Sequence, residues 1–241
     1  MDGADPSRGG VRSQAELPAA EWHTLRVPFG ATLAPVLLYD NPVSSNALKV
    51  RFLLAELGLP YDRREVPMPQ PRPDWYLAQN PIGGIPTLDD DGLVMAESNA
   101  ILRYLAQRER RDDLYPAAPA ERARVDEFLD RFALTLRGAF FQVERPALGF
   151  VPGVGFNAGP RDPDGARAKA AEVAGQIQLF EGLVADNGTV LGTFTIADCA
   201  AAPVLFRTRN TGMDLARYPK LLRLRETVTA RDGFTAAGPV L

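Results

Sequence analysis

The sequence predicts an α+β protein of two parts, in which a small sheet-and-helix unit is followed by a unit made only of helices. Up to about residue 110, apolar runs of strand length alternate with segments of helical periodicity. A proline-rich segment follows, and beyond it apolar residues recur only at three- and four-residue intervals. The chain has 241 residues, which is enough for one large or two modest domains.

The composition is that of an ordinary globular protein. Apolar residues make up 46% of the chain and the net charge is −3, so we expect neither nucleic acid nor a membrane as a partner. The single cysteine, Cys199, has no second cysteine for a disulfide, which fits a reducing compartment and predicts a cytoplasmic protein. The one histidine, His23, makes a His-based triad or a His/Cys metal site hard to assemble, so we expect no metal. The sequence contains no stretch of about 18 apolar residues, so we expect no membrane-spanning helix.

The first predicted elements follow an N-terminal extension. Residues 1–34 lack periodicity and the apolar core of a secretory signal, so we interpret them as an extension with little order. The apolar run 35–39 predicts a buried strand, and 61–66 alternates weakly, as an edge strand does. A cluster of prolines then interrupts regular structure before a short helix at about 74–79.

A longer helix is predicted between the first two strands. The segment Ser44-Ser45-Asn46 carries side chains that cap helix N-termini, and Gly58 is typical of the residue after a helix end. Its apolar residues form a stripe that faces the core, whereas Lys49, Arg51 and Glu56 are expected to face outward.

The stretch 80–106 carries the strongest local signals. Gly83-Gly84 gives a backbone that is free to bend, and Ile85-Pro86 follows at the start of a strand, where proline permits a cis bond. A hairpin of two short strands comes next, and Glu97-Ser98 opens a helix. A backbone before a cis-proline can pair with a peptide, and a helix N-terminus favours a carboxylate. The stretch therefore suggests a site for a small acidic peptide; a structural hairpin with an ordinary serine cap is the alternative.

The second unit is predicted over 119–241, after a linker at 111–118. Two long segments have apolar residues at helical spacing, which are Val125, Phe128, Leu129, Phe132 and Leu136, then Ala166, Ala170, Val173, Ile177, Phe180 and Val184. The loop 149–163 lines a pocket or joins helices. Thr195 and Asp198 are spaced as a capping box before an apolar helix, which predicts a structural role.

Four segments together resemble the soluble glutathione transferases, and in particular their serine-type classes. They are LLYDNPVSSNALKVRFLLAELGLPY, NPIGGIPTL, ESNAILRYLA and TFTIADCAAAPVL. They follow one another in the order and spacing of that family, over about residues 36–235. Each segment alone is weak evidence for the family, and the four in the right order are strong evidence.

The resemblance implies a fold and an activity. It implies a thioredoxin-like βαβαββα N-terminal domain over 35–110, followed by an all-α helical C-terminal domain. It also implies that glutathione is the co-substrate, that no metal takes part, and that the protein forms a two-fold homodimer. The expected reaction joins glutathione to a small hydrophobic electrophile.

The resemblance also implies roles for individual residues. Ser44 stands at the position of the catalytic serine, where a hydroxyl donor and a helix N-terminus lower the pKa of a thiol from about 8.5. Ile85 pairs through its backbone with the cysteinyl part of glutathione, beside cis-Pro86. Glu97 and Ser98 contact the γ-glutamyl end.

One position departs from the family pattern. Many relatives carry a lysine where this chain has Gly84, so the glycine carboxylate of glutathione lacks its usual contact. Gln79, Arg51 or a residue of the partner subunit would then have to replace it.

Neighbouring residues keep other assignments open. Ser45 donates to the sulfur in place of Ser44, or only caps the helix. Asn46 resembles the asparagine of transferase-like disulfide oxidoreductases, or is a cap without chemistry. Tyr39 corresponds to the hydroxyl of the tyrosine-type classes, or belongs to the core. A conjugating enzyme, a disulfide oxidoreductase and a non-catalytic binding protein are therefore the three functional hypotheses.

Overall fold

A four-stranded mixed sheet with three helices forms the first part of the structure. The computed structural model describes residues 35–241, and the predicted extension at 1–34 lies outside the described residues. The elements are β1 (Val36–Asp40), α1 (Ser45–Leu57), β2 (Tyr61–Glu65), α2 (Asp74–Leu77), β3 (Thr87–Asp90), β4 (Leu93–Met95) and α3 (Ser98–Arg108). The strand order is β2-β1-β3-β4, with β1 and β2 parallel and the other pairs antiparallel. The predicted βαβαββα order is confirmed.

The described helices after α3 form the second part. They are α4 (Pro119–Arg131), a π-helical segment (Phe132–Leu136), α5 (Arg137–Ala147), α6 (Pro163–Glu172), α7 (Ala174–Leu183), α8 (Ile196–Arg207), α9 (Pro219–Thr229) and α10 (Asp232–Ala236). The predicted all-helical second unit is therefore confirmed. Over residues 35–241, none of the helices has both the length and the apolar character that crossing a membrane requires.

The helix α1 lies between the sheet and the second part of the chain. It packs against α3 of the first part and against α8 and α10 of the second part. Lys49 is only 5% exposed and Arg51 only 2%, so the prediction that these two residues face outward is wrong. The helix has neighbours around most of its circumference, and a single apolar stripe does not describe it. Arg51 is held by the buried Asp40, whose Oδ2 lies 3.6 Å from its Nε.

The strand β1 carries the aromatic core of the first part. Tyr39 is buried, and its ring lies 6.2 Å from that of Trp75 and 5.9 Å from that of Tyr76, measured between centroids. Tyr39 therefore belongs to the core. Along β2, every residue after Tyr61 is exposed, which matches the predicted edge strand.

The helix α8 is the central helix of the second part, and a capping box fixes its N-terminus. The carboxylate of Asp198 accepts hydrogen bonds from the backbone N–H groups of Thr195, at 2.8 Å, and Val190, at 2.7 Å. Burial raises the pKa of Asp198 to about 6. Burial also raises the pKa of the neighbouring Cys199 thiol well above its ordinary value, so this cysteine is a core residue.

Candidate functional site

The N-terminus of α1 presents one serine hydroxyl. Ser44 is the N-cap residue, in an extended backbone conformation, and its Oγ accepts a hydrogen bond from the N–H of Ala47 at 3.2 Å. Its own O–H has the carbonyl oxygen of Ile85 as an acceptor at 3.5 Å, which is long for an O–H···O hydrogen bond. A better acceptor at this place would therefore receive the hydrogen bond of the Ser44 O–H.

Asn80 shapes the loop that faces this serine. Its amide Nδ2 donates to the carbonyl of Gly84 at 2.9 Å and to the hydroxyl of Thr87 at 3.2 Å. Gly83 adopts a left-handed conformation with φ of 70°, which glycine adopts without strain. The following Ile85–Pro86 peptide bond is cis, as the sequence predicted. The loop thus brings Ile85 to the start of α1.

The helix α3 begins with an N-terminus that no side chain caps. Glu97 occupies the N-cap position with φ of 65°, and its exposed side chain makes no capping hydrogen bond. Ser98, the first helical residue, is buried. Free amide N–H groups and the positive end of the helix dipole make such a first turn a place for a carboxylate.

A buried lysine lies beneath that turn. The Nζ of Lys49 donates to Oδ1 of Asn99 at 2.6 Å, and Nδ2 of Asn99 donates to the carbonyl of Leu129 at 3.0 Å. Burial, together with the nearby Arg137, lowers the pKa of Lys49 to about 7. Sequence reasoning missed this residue because it was assigned to the outer face of α1.

Two arginines of the second part hold the first residue of α1 and the segment before it. Nη2 of Arg137 donates to Oγ of Ser45 at 3.1 Å and to Oε2 of Glu144 at 3.2 Å. Arg207 donates to the same carboxylate oxygen at 3.2 Å and to the carbonyl of Val43. Glu144 is 1% exposed, so the interaction is shielded from water. No sequence motif indicated this network.

These contacts decide two of the open assignments around Ser44. Ser44 supplies the cap, so the capping alternatives for Ser45 and Asn46 are wrong. Ser45 is buried and accepts from Arg137, whereas Asn46 is exposed on the first turn of α1. Arg51, one of the candidates for the contact that Gly84 lacks, is buried and pairs with Asp40.

Aromatic residues of the second part lie near the same turn. Phe141, Phe150 and Phe156 form a cluster with ring centroids 5.1 to 5.9 Å apart. The guanidinium of Arg207, which contacts Val43, lies 4.8 Å from the ring centroid of Phe156. Because Arg207 contacts both Phe156 and the residue before Ser44, the loop that carries Phe150 and Phe156 can line a pocket for an apolar molecule.

The part of the chain that the structure describes holds no group of three or more His, Cys, Asp or Glu residues arranged for a metal ion. What the site offers is a hydroxyl, two helix N-termini, buried cations and aromatic rings. Such a set favours an anionic peptide beside an apolar molecule.

Family profiles match both parts of the chain. A profile described as "Glutathione S-transferase, N-terminal domain" matches residues 38–112. A second, "Glutathione S-transferase, C-terminal domain", matches residues 163–227. The two matches fall on the sheet-containing part and on the helices that follow it.

Individual relatives give the same result. The chain is 31% identical to glutathione S-transferase GstB of Escherichia coli, over 81% of this chain and 94% of the relative. It is also 31% identical to a maleylacetoacetate isomerase of Rhizobium meliloti, over 84% and 95%. Among solved structures, the theta class glutathione S-transferase of Xanthomonas axonopodis pv. citri, with glutathione bound, superposes with a TM-score of 0.74. That pair is 26% identical and the match covers 86% of this chain and 99% of the other.

Proposed function

Since this chain belongs to the glutathione S-transferase family, we propose that Ser44 activates the thiol of glutathione for attack on a small hydrophobic electrophile. Transfer of glutathione is the activity that the relatives' names support. The electrophile is not fixed by family membership, because one relative of equal identity is named as an isomerase.

The hydroxyl of Ser44 carries the proposal. Its Oγ lies between α1 and the cis-proline loop, and the carbonyl oxygen of Ile85, at 3.5 Å, is a distant acceptor for its O–H. A thiolate placed there would accept a hydrogen bond from that O–H, which keeps its proton, and would lie near the positive end of α1. Each unit by which the thiol pKa falls corresponds to about 1.4 kcal/mol in favour of the thiolate. The thiolate then forms the bond to the electrophile, and the displaced group leaves with its electron pair.

The remaining residues would hold the peptide on either side of the sulfur. We assign the cysteinyl backbone to Ile85, beside Pro86, and the γ-glutamyl end to Glu97 and Ser98. Gly84 is exposed and contributes only backbone to this surface. The cluster of Phe141, Phe150 and Phe156 would face the electrophile. Formation of a two-fold homodimer and a cytoplasmic location are further parts of the proposal.

The test is the pKa of glutathione bound to the protein, measured from the ultraviolet absorbance of the thiolate, together with conjugation of a chlorodinitrobenzene. Ser44→Ala is expected to raise that pKa by about one to two units, which corresponds to a 10- to 100-fold loss of thiolate at neutral pH. Thr235→Ala removes an exposed hydroxyl from α10 and serves as the matched control.

The outcomes separate the neighbouring serines. If Ser44→Ala leaves the bound thiol as acidic as in the wild type, the assignment of Ser44 is wrong. If Ser45→Ala alone raises the pKa, the sulfur lies against Ser45 and the contact with Arg137 must open. Absence of any binding of glutathione to the wild type would remove the whole proposal.

A glutathione-dependent disulfide oxidoreductase is the second candidate. One observation favours it, namely that the amide of Asn46 is exposed on the first turn of α1 and is not used as a cap. In this case, reduction of hydroxyethyl disulfide would exceed conjugation, and Asn46→Ala would abolish the reduction. Reduction that does not depend on Asn46 contradicts this candidate.

A further inference from the structure

A buried cation without a carboxylate partner lies inside the proposed glutathione site. Lys49 is 5% exposed, and its Nζ donates to Oδ1 of Asn99 at 2.6 Å. Within residues 35–241, no carboxylate forms an ion pair with it. Buried ammonium groups are costly unless they are paired. A lysine kept in this state therefore points to an anion that the protein itself does not supply.

The position of the ammonium group is fixed from the side of α3. Asn99 is the second residue of α3, and its Nδ2 donates to the carbonyl of Leu129 in α4 at 3.0 Å. The amide therefore turns its Oδ1 toward Lys49, and the ammonium lies beneath the uncapped first turn of α3. Two sources of positive potential, the helix N-terminus and the lysine, act on the same small volume.

The other charged groups around Lys49 are already engaged or lie at the surface. From α3, Arg103 binds Asp126 at 2.6 Å and Asp130 at 3.0 Å. Glu97, which precedes α3, is exposed and is in no ion pair among the described residues. From α5, Arg137 is held by the buried Glu144, together with the hydroxyl of Ser45. None of these carboxylates forms an ion pair with Lys49, whose ammonium is left to an amide oxygen.

We propose that the ammonium of Lys49 is the buried counter-charge for the α-carboxylate at the γ-glutamyl end of glutathione. Asn99 positions this ammonium beneath the first turn of α3. The inference rests on the proposed function and adds to it the residue that recognises this carboxylate. It also explains how the site holds an anionic peptide although Gly84 provides no charge at the other end.

Binding of glutathione should then be coupled to uptake of a proton. Burial first, and then Arg137 and Arg103, lower the pKa of Lys49 to about 7, against the opposing effect of Glu97. Above that pH, the free protein holds mainly the neutral amine. A bound carboxylate stabilises the ammonium and raises the pKa, so one proton passes from the buffer to Nζ as the ligand binds. Affinity should therefore fall as the pH rises above about 7.

S-methylglutathione is the probe, because it has both carboxylates but no thiol that titrates. Its affinity and proton uptake are measured by calorimetry between pH 6 and 9, in buffers of different ionisation enthalpy. For the wild type, we expect the affinity to fall by up to tenfold per pH unit above pH 7, with proton uptake at pH 8. Lys49→Met should bind at least tenfold more weakly at pH 6.5 and take up no proton through this position. Lys169→Met, which removes an exposed lysine of α6, is the matched control.

A second ligand distinguishes recognition from a structural role. The S-methyl derivative of 4-aminobutanoyl-cysteinylglycine keeps the amine of the γ-glutamyl end and lacks only its α-carboxylate. If Lys49 recognises that carboxylate, Lys49→Met and wild type should bind this analogue equally. Equal weakening of both ligands in Lys49→Met would show a structural role and overturn the inference.

The wild type alone also decides the question if Lys49→Met does not fold. Proton uptake with S-methylglutathione but not with the analogue supports the counter-charge, and equal uptake with both ligands overturns it. A wild type that binds no S-methylglutathione overturns the proposed function itself. Binding without proton uptake at pH 8 overturns only the inference about Lys49.

Discussion

Replacement of Asp198 by alanine should be among the most destabilising single changes in the helical part. The carboxylate satisfies two backbone N–H groups, those of Val190 and Thr195. Without it, both donors remain buried and unpaired, at about 1–3 kcal/mol each. We therefore expect Asp198→Ala to lower the free energy of unfolding by about 2–6 kcal/mol at neutral pH.

The same carboxylate gives this prediction a dependence on pH. Burial raises the pKa of Asp198 from 3.8 to about 6 in the folded protein, so the folded state holds its proton to a higher pH than the unfolded state. The part of its contribution to stability that depends on the bound proton is complete below about pH 4 and is lost as the pH rises through 6, whereas the hydrogen bonds to Val190 and Thr195 remain at neutral pH. The loss amounts to about 3 kcal/mol, at about 1.4 kcal/mol for each pH unit between the two pKa values. Asp198→Ala should lack this component of the pH dependence.

Equilibrium unfolding in urea, followed by circular dichroism from pH 4 to 7.5, measures both effects. Asp162→Ala is the control, because Asp162 caps α6 through the N–H of Gly165 at 2.8 Å but is exposed. Its loss should cost only about 0.5–2 kcal/mol. If Asp198→Ala costs no more than Asp162→Ala, or keeps the pH dependence of the wild type, the reasoning from burial is refuted.

Three further predictions concern the site and its supports. In the absence of ligand, the free energy of unfolding should rise between pH 7 and 10 by up to about 4 kcal/mol more in the wild type than in Lys49→Met. The reason is that Lys49 in the unfolded chain binds a proton that it has lost in the folded protein. If the free energies of unfolding in urea change with pH in parallel for the two proteins, this prediction is wrong. Gly83→Ala should lower the free energy of unfolding by about 1–3 kcal/mol, since the φ of Gly83 is 70° and a Cβ there would come within 3.0 Å of an arginine side chain. Gly84→Ala, whose added Cβ makes only ordinary contacts, should unfold at nearly the wild-type temperature. Glu181→Gln should lower stability by about 1–3 kcal/mol, because the carboxylate of Glu181 accepts two backbone N–H groups at the start of α9 at 2.9 Å each; the exposed Glu172→Gln serves as control, and equal melting temperatures of the two variants would argue against the role.

Much of the first part could be predicted from the sequence because its signals are local. The apolar run before Asp40, the glycine after α1 and the hairpin before Glu97 each have a direct conformational cause. The choice between Ser44, Ser45 and Asn46 was not local, since all three residue types cap helices. Only the extended backbone conformation of Ser44 decides that this residue is the one that caps the helix.

The buried charges could not be predicted for a different reason. Helical periodicity distinguishes one face from the other, but it does not count how many neighbours a helix has. Lys49 therefore looked like a surface residue. Likewise, the hydrogen bond of Arg207 to the carbonyl of Val43 joins residues that are 164 positions apart, and no pattern along the chain encodes such a pair.

The contacts of Arg137 and Arg207 mean that the half of the protein that would select the electrophile also steadies the residues around the nucleophile. Under the proposed function, a change made in α5 or α8 to accept a new substrate would therefore alter the reactivity of the sulfur as well. Exchange of helical halves between relatives should yield functional hybrids only when the donor brings a matching pair of guanidinium groups. The hydrogen bonds that Arg137 and Arg207 make across the two parts would thus limit how freely the substrate of this protein can change.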